Sequence, residues 1–151
     1  IGIELMSKSF LIINGPNLNT LGKREPHIYG NLSLEDIKIH TESRLKKEAL
    51  KIKLDWFQSN LEGCIVERIQ VAASEEWSAL IINPGALSHM SIAILDALKL
   101  FTGTIIEVHL SNTNKREKFR TKKITAMAAH HVLEGFGKEA YLLAIKSQLM
   151  D

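Results

Sequence analysis

From residue 10 onward, short apolar runs alternate with longer amphipathic stretches, and that order leaves few folds open. The runs at 10–13, 52–57, 79–82, 105–110 and 131–133 have strand length and carry mostly Ile, Leu, Val and Phe. Between them lie helical patterns. Ser33 followed by Asp36 resembles a capping box, with Ile37, Leu45 and Leu50 as apolar positions on the stretch behind it. Residues 62–73, 91–101 and 139–150 read as three further helices. Strands joined throughout by helices pair in parallel, and a five-stranded doubly wound α/β sheet of flavodoxin-like order, helices on both faces, is the expected architecture.

The 151 residues suit one domain, 1–151, and 45% hydrophobic content supplies a core. Nineteen Lys and Arg against seventeen Asp and Glu leave a net charge of +2. No basic block exceeds Lys46-Lys47 or Lys122-Lys123, so neither nucleic acid nor a membrane surface is an expected partner. A lone cysteine, Cys64, forms no internal disulfide, and no apolar stretch approaches the roughly 20 residues of a membrane span. A reducing, cytoplasmic location is expected. Ile1 to Leu5 precede Met6 without the charged start or apolar centre of a signal peptide, and are set aside as a remnant or part of a longer leader.

In open α/β sheets, ligands bind beyond the carboxyl ends of the strands. The first strand is followed by Asn14-Gly15-Pro16-Asn17 and a long polar loop with Arg24 and Tyr29; the third by Asn83-Pro84-Gly85-Ala86-Leu87-Ser88-His89. The fourth carries Glu107, His109, Ser111 and Asn112. Neither glycine-rich nucleotide fingerprint follows the first strand, and Asn83 stands where a receiver domain wants aspartate. Asn, His, Arg, Ser and Tyr converging on one edge suit a small, hydroxyl-rich anion.

Each residue also has a plainer reading. Asn17 forms turns through its own backbone, Asn83-Pro84-Gly85 is a turn signal, and His89 is placed to cap the next helix. Glu107 and His109, two apart on a strand, share a face either as an oriented acid or as a structural ion pair. Metal ligation lacks the tight spacing that zinc sites use. Arg116 and Arg120 lie i, i+4 on what reads as a short helix with a solvated face. His130-His131 reads as core or interface, and Tyr29 alone as a packing residue.

Taken together, "INGPNLNTLGKREPHIYG", "IINPGALSHMSIAILDAL" and "IEVHLSNTNKREKFR" resemble the type II 3-dehydroquinate dehydratase family, in order and with similar spacing from Ser9 to about Ile145. The resemblance implies a flavodoxin-like lyase that converts 3-dehydroquinate to 3-dehydroshikimate without metal or cofactor, in the shikimate pathway of aromatic amino acid biosynthesis or in quinate breakdown. It implies Tyr29 as catalytic base with Arg24 beside it, His109 as general acid partnered by Glu107, and Asn17 holding the enolate oxygen through a water. Asn83, His89 and Arg120 are implied to hold substrate hydroxyls, and the backbone of Leu110 and Ser111 the carboxylate. Asp96 is implied to come from a neighbouring subunit, in trimers gathered into a dodecamer. Two departures stand out: Lys123-Ile124 replaces a usual Ser-Tyr pair, and Ala140 a usual glycine.

The chemistry wants such a set. An enolate route needs a base for the proton alpha to the ketone and an acid for the departing hydroxyl. A free tyrosine has a pKa of about 10, so roughly one in a thousand is phenolate at pH 7, and a nearby cation such as Arg24, or a second one, favours the charged form. A loop that folds base and cation over the substrate must be long, and Gly22 and Gly30 give it room to open. Against this stand two other readings: a binding module for a small acid without turnover, and a lyase for another cyclic hydroxyketone acid.

Overall fold

The computed structural model describes residues 7–150, so the expectation for residues 1–5 lies outside the described residues. The strands are β1 (Lys8–Asn14), β2 (Ile52–Gln58), β3 (Ala79–Asn83), β4 (Thr104–His109) and β5 (His131–Glu134). All pair in parallel, in the order β2-β1-β3-β4-β5, the flavodoxin-like arrangement expected. The helices are α1 (Pro26–Tyr29), α2 (Leu34–Lys47), α3 (Glu62–Ala73), α4 (Ile92–Leu98) and α5 (Ala140–Ser147).

Strand periodicity divides the core into two layers. Phe10, Ile12, Ile81, Ile106 and Val108 face one way and pack with Ile37 and Leu45 of α2 and Tyr141 and Ile145 of α5. Leu11, Ile13, Leu80, Ile82 and Ile105 face the other way, against Ile65 and Ile69 of α3 and Ile94 and Leu98 of α4. Burial on both faces explains why the strands read as unbroken apolar runs. The capping box at α2 forms as its sequence requires, with Asp36 N–H donating to Ser33 Oγ and Ser33 N–H to Asp36 Oδ2, both at 3.0 Å.

Several expected boundaries shift. Ser91 is the N-cap of α4 rather than its first residue, and the helix stops at Leu98. The last helix starts at Ala140 and ends at Ser147, while α2 ends before Leu50. The fourth strand ends at His109, so Leu110 belongs to the loop beyond it. Arg116 and Arg120 do not share a helix: separate 3₁₀ turns cover Thr113–Lys115 and Lys118–Thr121, with Arg116 extended between them. His130 and His131 are exposed in the chain, not core. No helix among the described residues is long and apolar enough to cross a membrane.

The loops after β1 and β3 lock together at the switch point of the sheet, where neighbouring strands connect in opposite directions. Gly15 N–H donates to Asn83 O at 2.8 Å, and a Cβ on Gly15 would lie 2.4 Å from the Pro84 carbonyl oxygen. Gly85 has φ +59°, and its Cβ position faces Pro16 O at 3.1 Å. Backbone against backbone has nowhere to relax. Gly15→Ala is therefore expected to destabilise the protein by about 3 kcal/mol or more, read as a lower urea midpoint, against less than about 1 kcal/mol for Gly63→Ala, where a Cβ meets open space.

Candidate active site

The cleft lies beyond the carboxyl ends of β1, β3 and β4, with a volume of about 170 Å³. A cavity of about 150 Å³ holds benzene, so this one suits a ligand of a single six-membered ring. Its floor is the interlocked pair of loops, which brings Asn17 and Asn83 to its wall. His89, Leu110 and Ser111 line it from the ends of β3 and β4, and Arg120 from the turn after them.

Tyr29 closes the cleft from the loop. The short helix α1 places it: Pro26 at the first helical position fixes φ, and Gly30 at φ +80° ends the turn. Arg116 donates to the Tyr29 hydroxyl oxygen at 2.6 Å and Arg24 at 3.4 Å, and both guanidinium groups lie within 5.0 Å of the ring centre. Arg116 is steadied by Ser111 Oγ at 3.4 Å, whereas Arg24 is 3.7 Å from Glu25. Two cations therefore bear on one phenol oxygen. The chain's other tyrosine, Tyr141, is fully buried, and burial pushes its phenol well above the usual tyrosine value despite a hydrogen bond from Asn83. Tyr29 is thus the tyrosine that lines the cavity.

Across the cavity stands His109, the last residue of β4. Its Nε2 meets Glu107 Oε2 at 2.8 Å, and Glu107 lies wholly buried behind it, outside the cavity lining. The contact confirms that the two share a face. Since Nε2 is engaged by the carboxylate, Nδ1 is left as the nitrogen without a partner among the described residues. The His89 ring stacks nearby, centroids 6.3 Å apart. Burial holds His89 below the usual histidine value, as do the charges of His109, Arg120 and Lys123, against an opposing hydrogen bond to Lys122 O. That bond, at 2.8 Å, needs a proton on Nδ1, so the neutral ring offers Nε2 as an acceptor for a ligand hydroxyl.

Asn17 forms the turn of its plainer reading, with a left-handed backbone at φ 68°, and it also lines the cleft, its side chain capping nothing. Asn83 is buried, with Oδ1 accepting from Gly85 N–H at 3.2 Å. Arg120 pairs with Glu117 through Nε. Asp96 is the exception: it is exposed on α4 and does not line this cavity. It forms no ion pair with Lys99, three residues on, among the described residues. Nor do His, Cys, Asp and Glu cluster in threes anywhere among the described residues in a way that would hold a metal.

Residues 8–149 match the family described as Dehydroquinase class II. The chain belongs to that family. Among curated relatives of this class II dehydroquinase, the 3-dehydroquinate dehydratase of Clostridium botulinum is 51% identical over 138 residues, covering 91% of this chain and 92% of that protein. The 3-dehydroquinate dehydratase of Bartonella henselae is 49% identical over 141 residues, covering 93% of each. A solved type II dehydroquinase from Butyrivibrio crossotus superposes with a TM-score of 0.89 at 39% identity, over 95% of this chain and 99% of that one.

The residue that sequence reasoning passed over in this class II dehydroquinase is Arg116, which makes the shortest contact to Tyr29. One signal was available: Arg116 follows β4 by only a few residues, in the loop cluster where ligands bind. Its i, i+4 spacing to Arg120 suggested a solvated helix face instead.

Proposed function

We propose that this chain removes water from 3-dehydroquinate to give 3-dehydroshikimate, with Tyr29 as base and His109 as acid. The observation that carries the reading is the opposition of these two groups across one ring-sized cavity, one backed by two guanidinium groups and the other by a buried carboxylate. Tyr29 takes the proton alpha to the ketone, the C–H pair becomes an enolate, and its oxygen is held through a water by Asn17. The enolate then re-forms the ketone as the C–O bond to the hydroxyl breaks, and His109 supplies the proton that makes water. Asn83, His89 and Arg120 hold the hydroxyls of the ring, and the backbone at Leu110 and Ser111 holds the carboxylate. No lysine lines the cavity among the described residues, which favours the enolate over an imine. Family membership supports the substrate, the shikimate pathway and a cytoplasmic location for this single-domain lyase. The test is direct: added 3-dehydroquinate should produce the rising ultraviolet absorbance of a conjugated enone, and a flat trace from folded protein would remove this reading and leave a binding module or a lyase for another cyclic hydroxyketone acid.

The same proposal includes a trimer-based dodecamer in which Asp96 completes a neighbouring site. Its target is Arg116 rather than Arg24, because Arg24 already has Glu25 while Arg116 pairs with no carboxylate among the described residues. Exposed Met90, Ile92 and Leu100 around Asp96 give α4 an apolar surface that a second copy would cover. Tyr29→Phe and Asp96→Ala chains, each impaired alone, should regain activity when unfolded and reassembled together, since about a quarter of cyclic interfaces pair a sound Tyr29 with a sound Asp96. Mixtures no more active than the average of the separate variants would place Asp96 outside the site.

A further inference from the structure

The Glu107 carboxylate is wholly buried, and a buried charge survives only when its lone pairs are filled. His109 fills one of them. Two hydroxyls fill others: Ser88 Oγ–H donates to Oε2 at 2.9 Å and Thr125 Oγ1–H donates to Oε1. All three partners can donate and none has to accept, the arrangement an ionised carboxylate requires. Ser88 and Thr125 are themselves fully buried and lie 3.3 Å apart, so each commits its single proton to the carboxylate.

The two hydroxyls also bind together parts of the chain remote in sequence. Ser88 sits in the turn after β3, one residue before His89, and Thr125 opens a 3₁₀ turn well beyond β4. Ile124 N–H donates to Ser88 O at 2.7 Å, and His89 Nδ1–H donates to Lys122 O at 2.8 Å. The stretch 122–125 therefore contacts the acid side of the cleft three times. It includes Lys123-Ile124, where the resemblance read from the sequence implies a Ser-Tyr pair. Lys123 itself is anchored away from the carboxylate, on Glu134 at 3.2 Å.

We propose that Thr125, with Ser88, is a positioning residue for the general acid: by fixing both oxygens of Glu107 it holds the His109 ring in the one orientation that presents Nδ1 to the substrate. Neither hydroxyl touches the cavity, so each acts only through Glu107. The inference rests on the dehydratase reading for its kinetic consequence, but its structural half can be measured without substrate.

The test compares Thr125→Val, which keeps the shape and loses the donor, with Thr125→Ser, which keeps the donor. Thr125→Val should lower kcat by about tenfold or more while KM stays within about threefold, and Thr125→Ser should keep kcat within about threefold of the parent. Ser88→Ala should resemble Thr125→Val. The proton NMR signal of the Glu107-bound His109 Nε2–H should persist in the parent and in Thr125→Ser, and broaden or vanish in Thr125→Val. If Thr125→Val fails to fold, Ser88→Ala against Ser88→Thr makes the same comparison. Equal kcat in the Val and Ser variants, or an Nε2–H signal unchanged in the Val variant, overturns the proposal. Should the parent itself be inactive, the functional reading falls, and the NMR comparison still decides the positioning role.

Discussion

Tyr29→Phe should lower kcat by at least about 10²-fold while the melting temperature and the affinity for a non-reacting substrate analogue stay close to those of the parent. The ring carries the loop's packing, and the hydroxyl carries only its contacts to Arg116 and Arg24. Removing one oxygen therefore takes away the proton acceptor and leaves the lid. No substitute is at hand, because the phenol of Tyr141 is sealed between Asn14 and Asn83 in the core. Turnover within about threefold of the parent would remove Tyr29 from the base role.

Arg116→Ala should be the more damaging of the two arginine replacements, although Arg24 is the residue nearer to Tyr29 in the chain. Coulomb attraction and hydrogen bonding both fall with distance, and the contacts are 2.6 Å from Arg116 against 3.4 Å from Arg24. Arg116 is also held by Ser111, just beyond the end of β4, whereas Arg24 lies on the same loop as Tyr29. We expect a loss in kcat of about 10²-fold or more for Arg116→Ala. A larger loss in Arg24→Ala would reverse this ranking.

The sheet was legible because both of its faces are buried. Apolar runs such as Phe10 to Ile13 and Ala79 to Ile82 have no solvent-facing alternative, and the helices between them leave a parallel order as the economical solution. The convergence of Asn83, His89 and His109 was legible for the same reason, since strand ends are fixed by strand starts. Less could be read where structure is shorter than its own period. α1 has four residues, too few to show helical spacing, yet Pro26 and Gly30 bracket it in the positions where such a turn begins and ends. Arg116 was misplaced because two 3₁₀ turns with an extended residue between them imitate a helix in their spacing alone. Thr125 was invisible as a partner of Glu107, because a contact over 18 residues of irregular chain leaves no local trace.

The loop that carries Arg24 and Tyr29 is bounded by two left-handed glycines, and at Gly22 the returning chain is already in touch, with Asn31 O 3.1 Å from the Cβ position. A short link can therefore bridge the place where the loop leaves and the place where it comes back. Tyr29 and Arg24, the proposed base and one of its cations, lie on the excursion, while His109, Asn83, His89 and the interlocked floor belong to the scaffold. Catalyst and receptor are in this sense separable modules: shortening the excursion would leave a domain able to recognise the ring but not to transform it, and transplanting a different excursion onto the same floor would offer the bound ring another reagent.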